Sequence, residues 1–297
     1  MKTKSIAFIF LVLLLGSCKN RQTEDLSTTF NENDLEELLL SQEAMDEVIE
    51  NIASPIEVAA LLRDLDIPFS SSYLSKPERM SNYSTNFEMA YNLGALSSDL
   101  GYLNMYNKTG TAINYLSTIN KLTDALEVGQ FFDFIKMKRL ASSDNNLDSL
   151  LFISMNSFNR MDSHLRQTDR SNLSTLMVAG VWIEGLYLAT QVYEKSDIEE
   201  IRSAIADQKT ILSDLLIILN KYKGVQGFPE LIEDYMKIKN HFDGVKITYE
   251  MGEPQTVEID GMYMVIQDET SHIEMSNQTL SNIIATTKEI RNKHLNI

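Results

Sequence analysis

One cysteine, Cys18, is all the thiol chemistry in this chain of 297 residues. The residues after it therefore form no disulfide among themselves, supply no thiol nucleophile and bind no metal through cysteine. Glycine (12) and proline (5) are also scarce, which disfavours a many-turned β architecture and predicts long helices. Basic clusters are missing as well. The formal charge is −16, so the counterion release that drives nucleic-acid binding has no source, and nucleic acid is excluded as a partner. Anionic lipid head groups would be repelled by the same charge, so attachment to a membrane must come from something other than electrostatics.

Catalytic and metal-binding signatures are equally thin. The four histidines (His164, His241, His272 and His294) are scattered, with no His-x-x-x-His or Glu-x-x-His pair, and neither a metal nor a cofactor is predicted. Asp144-x-Asn146-x-Asp148 resembles the start of a calcium loop, but its sixth position is Ser149 and its twelfth Met155, so it reads as a helix cap. There is no Gly-x-Ser-x-Gly elbow, no Ser-x-x-Lys, no phosphate-binding loop and no dinucleotide fingerprint, which disfavours a standard hydrolase or nucleotide enzyme.

What the chain does have is an export signal. Lys2 and Lys4 precede an apolar run from Ile6 to Leu15, too short for a transmembrane helix and right for a secretory signal. Leu15-Gly16-Ser17-Cys18 then resembles the lipobox of bacterial lipoproteins, in which the cysteine becomes the acylated first residue. Loss of Lys2 and Lys4 with the signal would take the charge from −16 to −18. Two or three acyl chains on Cys18 would anchor firmly where one binds marginally. Lys19 at the next position favours the outer membrane, with the periplasmic face preferred and surface display open. Residues 19–32 are polar and aperiodic, a tether reaching about 45–50 Å when extended.

The remainder, 43% hydrophobic and 23% charged over the whole chain, has the balance of a folded protein. The 14 methionines suggest either a ligand-lining surface or adaptable core filler, and the second reading is preferred. Apolar spacing predicts helices over 33–52, from Ser54-Pro55 onward, and over 78–106, 111–126, 130–140, 144–167, 171–193, 197–222 and 229–242. A serine-rich loop is expected over 67–77. After Gly244 the period switches to two over 246–250, 256–259 and 262–266, predicting a hairpin or three-stranded sheet that needs the helical body for stability. A final helix is expected over 277–293. The fold class is thus mostly α: a multi-helix bundle of antiparallel helical hairpins with a small C-terminal β element and a terminal helix. Its segments are a signal peptide (1–17), a lipidated cysteine and tether (18–32), a helical domain (33–243) and a β-plus-helix unit packed on it (244–297).

Two stripes stand out. The segment 173–193 is apolar almost all round and should be central, yet Glu184 interrupts it, in line with Met177, Gly180, Tyr187 and Gln191. A buried carboxylate needs partners or a proton. Asn92, Asp99, Tyr102 and Tyr106 form a comparable stripe on the earlier helix, with Gly94 and Gly101 permitting close approach. The pattern acid-x-x-Tyr-Leu occurs in both, as Asp99 to Leu103 and Glu184 to Leu188, consistent either with tandem helical hairpins or with chance. If the stripes face each other, Asp99, Tyr102, Trp182, Glu184 and Tyr187 compose a candidate polar or ligand cluster. One reading makes Asp99 and Glu184 an acid–base or ligand-gripping pair, as in glycan-acting enzymes. The other makes the cluster a polar network that sets helix register.

The segments Asn92 to Tyr102, Gly180 to Gln191 and Glu289-Ile290-Arg291 together resemble a family of helical lipoproteins of Bacteroidetes, over most of the chain beyond the signal. That resemblance implies an α-helical envelope protein and transfers neither an activity nor a catalytic residue. The chain is expected to be a lipid-anchored envelope module that binds a partner or ligand, with an envelope enzyme as the alternative.

Overall fold

The computed structural model describes residues 65, 67–78, 83–141, 147–252, 254–259, 262–266 and 269–297, all within one compact unit. The signal, Cys18, the tether, the helices expected before residue 65 and the Asp144–Asn146 cap lie outside the described residues. Among the described residues eight α-helices follow in order: α1 (Asn86–Met105), α2 (Thr109–Ala125), α3 (Phe134–Ala141), α4 (Leu147–Gln167), α5 (Ser171–Ser196), α6 (Glu199–Asn220), α7 (Phe228–Phe242) and, after the β segment, α8 (Asn277–His294). The mostly α bundle with a C-terminal β element and a terminal helix is the architecture observed.

Local chemistry sets the boundaries. The helix expected from 78 starts instead at Asn86, because Thr85 and Glu88 close a capping box: Thr85 Oγ1 accepts from Glu88 N (3.1 Å) and Glu88 Oε2 accepts from Thr85 N (3.0 Å). The helix expected over 130–140 splits into a 3₁₀ turn (Gly129–Phe131) and α3, whose first turn is held by Lys136 N donating to Asp133 Oδ1 at 3.0 Å. Scarce glycine does not prevent sharp helix ends. Asn107, Glu127, Asp169 and Asn296 adopt left-handed φ of 52° to 58° just past α1, α2, α4 and α8. Each is followed by a backbone N–H returning to a carbonyl five residues earlier, as Lys108 N to Leu103 O (2.9 Å) and Arg170 N to Leu165 O (2.7 Å).

Helix α5 occupies the centre. It is long and apolar enough to cross a membrane, yet 89% of that apolar stretch is buried inside the protein, where it packs on α1, α4, α6 and α8. Its closest neighbour is α1. A Cβ on Gly94 would lie 1.9 Å from Met177 O, and one on Gly180 would lie 1.9 Å from Tyr91 O. The two helices therefore touch backbone to backbone, each glycine seated on a turn of the other. Further along, Gly185 faces Ser98, so contacts advance together and α1 runs parallel to α5.

The β segment differs from expectation. The residues 246–251 and 255–259 do not pair with each other. Strand β1 (Lys246–Met251) pairs antiparallel with β4 (Glu269–Glu274), which the sequence reading missed, and β2 (Gln255–Ile259) pairs with β3 (Met262–Ile266). The two pairs are nested, separated by three residues on one arm (252–254) and two on the other (267–268). Lys209 Nζ donates to Val245 O at 2.6 Å, and Arg202 donates to Met275 O, tying the base of this ribbon to α6. Helix α8 then returns to the bundle, burying Leu280, Ile283 and Ile290 against α5 and α7 in the same core.

Candidate functional site

The two stripes do meet, at one level of the α1–α5 contact. Asp99 and Glu184 are both 0% exposed. The cationic partner of Glu184 comes from neither helix. Arg291, on α8 and 107 residues away, is 4% exposed and donates from Nε to Glu184 Oε2 (2.8 Å) and from Nη2 to Oε1 (2.7 Å). This bidentate arrangement is the strongest form of carboxylate recognition by a side chain. Arg291 Nη2 also reaches Tyr73 O at 3.3 Å, and the guanidinium carbon stands 4.1 Å from the centre of the Tyr187 ring, a cation–π contact. Burial pulls the Arg291 pKa down, but the charge and hydrogen bonds of Glu184, with Asp99 and Tyr187, together outweigh it and the net shift is upward.

Asp99 is held differently. Its Oδ2 accepts from Ser75 N (3.0 Å) and from the Ser75 hydroxyl, while Tyr115 on α2 donates its hydroxyl to Ser75 O. Burial first, and the nearby Glu184 charge second, push the Asp99 carboxyl well above the usual carboxylate range. Burial likewise raises the phenols of Tyr115 and Tyr187.

Of the five residues expected to cluster, the structure brings together Asp99, Glu184 and Tyr187. Tyr102 sits one turn beyond, where its hydroxyl accepts from Ser70 N (3.0 Å) and its ring packs with Phe69 (5.5 Å) and Tyr106 (4.9 Å). Trp182 belongs elsewhere. Two residues before Glu184, it is turned by about 200° around the helix, donates to Gln208 Oε1 on α6 (3.0 Å) and packs on Tyr235 of α7 (5.3 Å). Arg291, the ion partner, was not identified by sequence reasoning. Glu184 in an apolar helix signalled that a cation was needed, but nothing in spacing said which one.

A second polar cluster ties α8 to α7. Asp234, 2% exposed, accepts from Lys237 Nζ (2.8 Å), Lys293 Nζ (2.6 Å) and His294 Nε2 (2.8 Å). Burial would raise the carboxyl of Asp234, but these donors outweigh it and hold it below the usual range; burial lowers His294. Beside it Tyr91 and Tyr235 share a hydrogen bond of 3.0 Å, and Tyr235 donates to Ala179 O at 2.8 Å. A cavity of about 320 Å³ lies where α1 and α5 begin, lined by the buried Leu173, Leu176 and Phe228 and by Asn86, Arg170 and Gln226. Arg170 is already used there, donating to Leu126 O at 2.7 Å and so capping α2. Among the described residues, no three His, Cys, Asp or Glu side chains converge in a way that could hold a metal. Comparisons of the chain with protein-family models, with curated proteins and with solved structures find no match.

Proposed function

We propose that this chain is a lipid-anchored protein of the cell envelope, held at the outer membrane through Cys18, whose helical body serves as a binding or structural module. The anchor rests on the apolar run Ile6 to Leu15 followed by Leu15-Gly16-Ser17-Cys18, and on the resemblance to helical lipoproteins. The observation that carries the non-catalytic half is the burial of Asp99 and Glu184. Both are 0% exposed and are engaged by Ser75 and Arg291, so neither is free to meet a substrate. A glycan-acting carboxylate pair would need room for a sugar and a water between its members. The acidic surface fits a protein or small-ligand partner and not nucleic acid.

Growth of a bacterial host with an alkyne-tagged fatty acid tests the anchor. The wild type should incorporate the label and sediment with membranes. Cys18→Ala should fold with unchanged helicity, carry no label and appear in the soluble fraction; label retained by Cys18→Ala would overturn the assignment.

A further inference from the structure

The cluster of two carboxyl groups and one guanidinium poses a charge problem. Asp99, Glu184 and Arg291 are 0%, 0% and 4% exposed. With both acids ionised, the cluster would keep one uncompensated negative charge away from water, a state buried carboxyls avoid by taking up a proton. The hydrogen bonds say which acid takes it. Arg291 grips both oxygens of Glu184, at 2.7 and 2.8 Å, as it would a carboxylate. Asp99 receives both Ser75 donors on Oδ2 alone, and among the described residues its Oδ1 accepts no hydrogen bond. A bare carboxylate oxygen in a dry site is unfavourable. Glu184 lies within side-chain hydrogen-bond reach of Asp99, so a hydroxyl on Oδ1 can donate to the Glu184 carboxylate.

We propose that Asp99 is a neutral carboxylic acid in the folded protein, bearing its proton on Oδ1 toward Glu184, and that docking of the terminal helix is thereby linked to that proton. Among the described residues, Arg291 of α8 is the cation whose charge acts on Asp99. Tyr115 approaches from α2 with the charge of Glu78 acting on it, Tyr187 from α5 and Tyr91 from α1, the last carrying His294 of α8 on its ring at 5.4 Å. The elevated pKa of Asp99, caused first by burial and then by Glu184, agrees with the geometry. Once the proton leaves, two adjacent carboxylates compete for one guanidinium. Helix α8, held at this point by Arg291, loses the fit that secured it.

Infrared difference spectroscopy of the full chain at neutral pH decides the protonation state. The wild type should show the carbonyl stretch of a protonated carboxylic acid, and Asp99→Asn should lack it. Glu184→Gln should lack it as well, because Asp99 then ionises to serve Arg291. Thermal midpoints supply the second readout: the wild type should lose stability from mildly acidic to alkaline pH, whereas Asp99→Asn, whose amide donates to Glu184 as the acid does, should be nearly flat. The comparison of wild type with Asp99→Asn stands even where Glu184→Gln does not fold. No acid band in the wild type, an equal alkaline decline in Asp99→Asn, or failure of Asp99→Asn to fold would each overturn the proposal.

Discussion

Arg291 and Lys293 stand two residues apart on α8 and make ion pairs of nearly equal length, 2.7 Å to Glu184 and 2.6 Å to Asp234, yet they hold the helix in different ways. The first pair is dry on both sides, at 4% and 0% exposure. The lysine of the second is 43% exposed and also reaches Glu230 at 2.7 Å, itself 64% exposed. A half-wet lysine can trade its protein partners for water and salt. The guanidinium cannot, and whatever removes it leaves Glu184 unpaired in the core. Equal distances therefore describe one contact that tunes the docking of α8 and one that the docking requires.

The contrast can be broken most severely at Arg291. Arg291→Met should destabilise by about 3–5 kcal/mol in urea denaturation, because a buried carboxylate loses its counter-ion. Replacing both partners, as Glu184→Leu with Arg291→Met, should recover most of that loss; a double variant as unstable as the single one would show that the pair does more than neutralise itself. Next in size is the crossing that positions Glu184. Gly180→Ala places a methyl against the backbone carbonyl of Tyr91 and should cost about 1–3 kcal/mol or more. Gly101→Ala is its control: among the described residues nothing lies within 4 Å of the new Cβ, so the same methyl should stabilise α1 by up to about 1 kcal/mol. At the wet tie, Lys293→Ala should cost no more than about 1 kcal/mol, and the difference from wild type should shrink as salt is raised.

The two ties also bend the pH profile in opposite directions. Asp234 has a depressed pKa, so its contribution is complete above the ordinary carboxylate value and is lost as pH falls through the folded one. His294, also depressed, reinforces this: its contribution is present above its ordinary value and lost on acidification. Asp99 is raised, so its contribution is complete below the ordinary carboxylate value and is lost as pH rises through the folded one. Urea midpoints across pH should therefore fall on the acid side through the α7–α8 tie and on the alkaline side through the α1–α5 cluster. Asp234→Asn should flatten only the acid arm.

Most of the helical layout was legible because burial against one core writes a 3.6-residue period into each segment, and the predicted spans 111–126, 171–193, 229–242 and 277–293 fall within a few residues of α2, α5, α7 and α8. The start of α1 was placed too early, at residue 78, although Thr85-x-x-Glu88 has the spacing of a capping box. Meeting of the two stripes followed from Gly94 and Gly180, since only residues without a Cβ allow backbones so close, whereas Gly101, also expected to permit close approach, meets no described neighbour within 4 Å. The assignment of Trp182 to the cluster overlooked that neighbours two apart on a helix point to opposite sides. Arg291 and the β1–β4 pairing escaped for a shared reason. Both depend on which distant segments meet, and a one-dimensional period carries no record of that.

The ribbon has an architectural consequence of its own. Lys246 pairs with Glu274, so the chain leaves the bundle after α7 and re-enters before α8 at the same place. The described strands between those two residues make a detour that starts and ends at one place, attached at Val245 and Met275 through Lys209 and Arg202. Such an excursion can be lengthened or shortened by one cross-strand pair at a time without moving α8. It is a place where the molecule can change its reach while its interior stays the same.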